Sequence, residues 1–86
     1  MEQKMIRTAR ETVVKYYNDR ADDEIAYNET FIVWFSKTLQ NWKALVGTTK
    51  NDLYFELTYN GDKNEIYLDA YKKAENVVIK GDAKWD

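Results

Sequence analysis

The chain contains neither cysteine nor histidine. Without cysteine there is no disulfide, no thiolate metal ligand and no thiol nucleophile. Without histidine, the commonest general base and the commonest transition-metal ligand are missing as well. Long apolar runs are also lacking. Nothing approaches the roughly 20 residues of a membrane span, and Met1–Arg7 holds no apolar core of signal-peptide length. A soluble cytoplasmic protein with no metal or cofactor is the expectation, and the missing cysteine fits a reducing compartment. An excess of either charge is lacking too: thirteen basic residues against fifteen acidic ones give a net charge of −2. That balance argues against nonspecific nucleic-acid binding and against anchoring on an anionic membrane.

Aromatic side chains are what the chain does have: three Trp, seven Tyr and three Phe in 86 residues. A single domain of this size buries only about 60–65% of its unfolded surface, so its stability leans on side chains that each bury roughly 150–250 Å². Residues 2–20 form an amphipathic helical pattern. Met5, Ile6, Ala9, Val13, Tyr16 and Tyr17 fall on one stripe, with Val14 off it. Residues 18–24 end the helix, and their Asp22-Asp23-Glu24 run is read as a solvated loop in preference to a cation site. Strands are expected at about 30–39, 42–47, 53–59, 63–71 and 76–80, the last around Val77-Val78-Ile79. Together they give an α+β fold, with an N-terminal helix packed on an antiparallel four- to five-stranded meander.

Two turns set the register. Asn60-Gly61 is the preferred centre of a two-residue type I′ hairpin, since both positions need positive φ; Gln40-Asn41 is the matching candidate in the first hairpin. Tyr54 then faces Tyr67, Phe55 faces Ile66, Glu56 faces Glu65, Leu53 faces Leu68, Phe35 faces Val46 and Ser36 faces Leu45. Pairing Val46 with Leu53 collects Phe31, Val33, Phe35, Trp42, Ala44, Val46, Leu53, Phe55, Leu57, Ile66 and Leu68 on one core face. The other face carries Ile32, Trp34, Leu45, Tyr54, Tyr67 and Tyr71 among Ser36, Thr38, Lys43, Glu56, Glu65 and Asp69. So many large apolar and aromatic residues outside a one-helix sheet exceed what solubility favours. The segment 77–79 folding over them, a homodimer interface and a docking surface for another macromolecule are the three readings.

Catalytic constellations are weak. Glu56 opposite Glu65 would repel; Lys43 beside Glu56 relieves that more simply than a shared-proton dyad or a weak cation site. Ser36 and Thr38 have no histidine to activate them, and Lys37 points to the opposite face from Ser36. Lys37, Lys43, Lys72 and Lys73 with Trp34 and Trp42 sketch a single-strand nucleic-acid platform, but Glu56, Glu65 and Asp69 spoil its electrostatics.

The stretch Trp34-Phe35-Ser36-Lys37-Thr38-Leu39-Gln40-Asn41-Trp42-Lys43-Ala44-Leu45, with Thr58-Tyr59-Asn60-Gly61-Asp62-Lys63 and Tyr67-Leu68-Asp69-Ala70-Tyr71-Lys72-Lys73, resembles a family of small proteins encoded by phages and prophages of Gram-positive bacteria such as streptococci and lactococci. The resemblance covers about residues 30–80 and brings no assigned activity or site residue. It implies a phage or prophage accessory protein acting in the bacterial host cytoplasm. The functional expectation is a non-enzymatic protein that binds a host or phage protein through Trp34, Leu45, Tyr54 and Tyr67, with Lys43 and Glu56 at the margin. The alternatives are a small nucleic-acid binder and a structural homodimer.

Overall fold

The computed structural model describes residues 2–75 and 77–81. A helix α1 (Glu2–Arg20) and a short 3₁₀ turn (Tyr27–Glu29) precede four strands: β1 (Thr30–Thr38), β2 (Asn41–Thr48), β3 (Leu53–Asn60) and β4 (Glu65–Lys72). The strands form one antiparallel sheet in chain order. This is an α+β fold in two layers, the helix lying over the β1 and β2 side of the sheet.

Helix α1 carries Glu2 in its first turn and Arg20 in its last, each the right sign for the helix dipole. Ala9, Val13 and Tyr17 recur every four residues and are buried. Met5, Val14 and Tyr16 pack beside them, so Val14 belongs to a stripe wider than a strict four-residue row. Against that stripe the sheet offers three rows set by the register: Ile32, Val46, Phe55 and Ala70; Phe35, Ala44, Leu57 and Leu68; Lys37, Trp42, Tyr59 and Ile66. Phe55, Leu57, Val13 and Val46 are wholly enclosed, each contributing about 1.5–3 kcal/mol by leaving water. The Trp42 ring stacks on Tyr59 at 5.6 Å, and Tyr16 meets Phe55 edge-on at 6.0 Å.

Polar side chains fix the helix to the strands. Arg10 donates from Nε to the Thr30 hydroxyl at 2.8 Å and from Nη2 to the carbonyls of Tyr27 and Thr30. Its guanidinium lies 4.0 Å from the Tyr27 ring centroid. The Asn18 amide both donates to the Ile25 carbonyl and accepts from the Ile25 amide. The Asp23 carboxylate accepts from the Tyr17 hydroxyl at 3.0 Å, which gives that residue of the acidic run a structural partner. Asn51 donates to the same hydroxyl while its Oδ1 accepts from Thr48 and from the Leu53 amide. One side chain thus joins helix, β2 and β3.

The expected turns and pairs are corrected. β1 and β2 are joined through Leu39-Gln40, with Leu39 at φ 54°, not through Gln40-Asn41. The second hairpin closes over Gly61–Asn64, with Asn64 at φ 52°. Asn60 stays in β3, where its Oδ1 accepts from the amides of Asp62 and Lys63, an Asx turn that replaces the type I′ geometry. The two turns also grip each other. Asn41 Oδ1 accepts from the Gly61 amide at 2.8 Å, and the Gln40 amide donates to Asp62. A Cβ on Gly61 would collide with the Gln40 carbonyl oxygen. Glycine serves close approach there, since its φ is not positive.

Phe35 therefore faces Ala44, not Val46; Ser36 faces Lys43; Val46 meets Phe55; Tyr54 meets Tyr71; Phe55 meets Ala70; and Leu53 meets Lys72. Glu56 stands opposite Asp69, and Glu65 opposite Asn60. A β-bulge between Ile32 and Trp34 changes the phase of the first half of β1. Phe31 and Val33, expected in the core, are exposed, whereas Ile32, expected outside, packs against the core. The expected fifth strand at 76–80 is also corrected: residues 77–80 lie in no strand and Val77, Val78 and Ile79 are exposed. Trp85, assigned to a loose tail, lies outside the described residues, as does Asn76.

Candidate binding face of the sheet

The face turned away from α1 is built from three rows across the strands. The first runs Phe31, Gly47, Tyr54 and Tyr71; the second Trp34, Leu45, Glu56 and Asp69; the third Ser36, Lys43, Thr58 and Tyr67. All six residues singled out from sequence, Trp34, Leu45, Tyr54, Tyr67, Lys43 and Glu56, are on it. They spread over all three rows and form no single cluster. Trp34 on β1 and Tyr67 on β4 are three strand spacings apart, roughly 14 Å across the sheet. Phe31, Trp34, Tyr67 and Tyr71 keep 40%, 40%, 47% and 51% of their surface exposed; Leu45 and Tyr54 are half-buried among them.

Gly47 explains the aromatic end. The Phe31 ring lies directly over it, where an added Cβ would meet the ring at 2.5 Å. An aromatic covering a glycine in a neighbouring strand restores packing that the missing side chain forfeits. Glycine inside a strand is the sequence signal that would have found Phe31, which had been assigned to the core.

The acidic opposition sits at the centre. Glu56 and Asp69 are cross-strand partners, a repulsive arrangement taken alone. Lys43 Nζ lies 3.4 Å from Glu56 Oε2, and the Tyr71 hydroxyl donates to Oε1 at 3.2 Å. Both Glu56 oxygens thus have a partner. Lys43 is half-exposed, so the pair is worth at most about 1 kcal/mol. Burial, followed by the neighbouring Glu56 and Asp69 charges, pushes the Tyr71 phenol above its ordinary value. The Tyr67 phenol is raised first by its 2.6 Å hydrogen bond to Glu65 and then by burial.

At the third row the face dips into a groove of about 340 Å³ lined by Ser36, Thr38, Lys43, Thr58, Asn60 and Tyr67. These are hydrogen-bonding groups without an activated nucleophile: neither Ser36 nor Thr38 takes part in a side-chain hydrogen bond among the described residues. Trp42, considered from sequence as a stacking platform, is buried on the opposite side. Lys37 shares Trp42's register position and donates to the Leu39 carbonyl.

Residues 6–81 match the model of a family described as "Family of unknown function (DUF6275)". The chain belongs to the DUF6275 family. No curated protein and no solved structure matches this DUF6275 chain. Among its described residues no helix is long and apolar enough to cross a membrane, and no group of three or more acidic side chains gathers in metal-binding geometry.

Proposed function

We propose that this DUF6275 protein is a non-enzymatic binding protein that docks on another protein with the outer face of its sheet and modulates it. The observation that carries this reading is the uncovered aromatic face itself. Phe31, Trp34, Tyr67 and Tyr71 are exposed on a sheet whose helix lies on the other side. Trp and Tyr are the side chains that most often anchor protein interfaces, because they bury much area at little entropic cost. Residues 77–79 are themselves exposed. The likeness of residues 30–80 to phage and prophage proteins supports an accessory role in a bacterial host, with a host or phage protein as the partner. A nucleic-acid platform is disfavoured by the burial of Trp42 and by Glu56 and Asp69 at the centre of the face.

Affinity capture from infected host cells, run with the wild type and with a Trp34→Ser/Tyr67→Ser variant, tests the reading. A partner retained by the wild type and lost by a variant that melts normally is expected. Equal capture by both removes the outer face from the function.

A further inference from the structure

The two edges of the sheet are guarded differently. β1 is interrupted by the bulge at Val33, begins under the Arg10 clamp and bears Lys37 near its end. These are devices that discourage further strand pairing. β4 has neither bulge nor clamp over its eight residues, and the chain has no proline; its edge charges are Glu65, Asp69 and the terminal Lys72. No other strand among the described residues pairs with its outer edge. Its core-side residues are also poorly covered, because α1 sits over β1 and β2. Ile66 and Leu68 are half-buried and Ala70 is exposed.

We infer that β4 is an association edge whose partner is a second copy of this chain, paired antiparallel about a two-fold axis through Leu68 into a continuous eight-stranded sheet. The sequence of β4 selects that register. With Leu68 opposite itself, Ile66 meets Ala70 of the second copy on the helix side, and Tyr67 meets Asp69 on the outer side. Moving the pairing by two residues in one direction places Asp69 against Asp69; in the other it places Glu65 against Asp69. Both carry like charges directly opposed. Within Glu65–Lys72 the chosen register alone among the three avoids them.

The segment after β4 completes the interface. The Lys73 amide bonds to the Asp52 carbonyl and carries the chain past the end of its own sheet. In the two-fold pair this brings Lys73 level with Lys63 of the second copy. There, at the end of the sheet bearing the hairpin loops, lies a groove of about 490 Å³ on the helix side, lined by Met5, Thr8, Trp42, Tyr59 and Ile66. The four residue spacings from Lys73 to Val77 allow a reach of about 14 Å, enough to cross from the edge into that groove. Val77, Val78 and Ile79 are 60%, 84% and 69% exposed in the single chain and supply an apolar occupant. Specific interfaces bury roughly 1,200 Å² or more, and two tails seated in two grooves add apolar area to what the strand pairing buries.

Sedimentation equilibrium of the full chain, from low-micromolar to near-millimolar concentration, gives the test. Twice the chain mass of 10.2 kDa is expected, falling to 10.2 kDa in Ala70→Lys and unchanged in Trp34→Ser. Because the chain has no cysteine, Tyr67→Cys mixed with Asp69→Cys and treated with a mild oxidant is expected to give a heterodimeric disulfide. Leu68→Cys is expected to couple to itself. A single-chain mass throughout overturns the inference. So does a dimer that persists in a folded Ala70→Lys variant, or one that forms neither cross-link.

Discussion

The two faces of this sheet are made from similar residues and end in different environments. The inner face presents Phe35, Trp42, Phe55 and Tyr59; the outer presents Phe31, Trp34, Tyr54, Tyr67 and Tyr71. Trp42 is buried against Tyr59 and Phe35 beneath the helix, whereas Trp34, of the same chemistry and one strand away, stays 40% exposed. What separates them is whether an amphipathic partner with a matching stripe is available. A single 19-residue helix can serve only one side of the sheet, so the second set of aromatics is left facing solvent. Aromatic content therefore measures how much surface a small domain has to bury. It does not say how much of that surface the domain buries by itself.

The strongest way to break the comparison is to damage the covered side. Phe55→Ala removes a wholly enclosed ring in contact with Tyr16 and is expected to cost about 3–5 kcal/mol. Against a total stability of about 5–15 kcal/mol for a domain, chemical denaturation should show most of the folded margin gone. Arg10→Ala comes next. It withdraws three hydrogen bonds, two of them part-buried, that hold the helix to Tyr27 and Thr30. A loss of about 1.5–3 kcal/mol is expected, read as a lower denaturation midpoint with an unchanged slope.

Alkaline titration sharpens the contrast on the outer side. Tyr67 and Tyr71 have raised folded-state pKa values, so the protonated phenols stabilise the folded chain. That contribution is fully present below the ordinary tyrosine value of about 10 and is lost as pH climbs through the raised values. Glu65→Gln removes the carboxylate that chiefly raises Tyr67. Phenolate absorbance should then show one tyrosine titrating at lower pH than in the wild type, with the Tyr71 transition unmoved.

Most of the division between faces was legible in the sequence even though nearly every strand pair was misplaced. The first two registers are displaced by two residues and the third by four relative to expectation. An even displacement keeps every side chain on its own face. Trp34, Leu45, Tyr54 and Tyr67 therefore share a side although Tyr54 pairs with Tyr71 and not Tyr67. Local propensity favours Asn41 and Asn60 as turn residues, but both spend their side chains on amides of the second loop. That tertiary demand leaves Leu39 to take the positive φ. Ile32, Phe31 and Val33 were misassigned because a bulge inserts one residue without any change of composition.

The central claim is that the outer aromatics contribute little to folding and are free to bind. Thermal unfolding of Trp34→Ser/Tyr67→Ser beside the wild type tests it most directly. The expected cost is within about 0.5 kcal/mol per site, as for ordinary surface positions, leaving the two melting curves nearly superimposed. A loss approaching that of Phe55→Ala would make these rings part of the core and contradict the account.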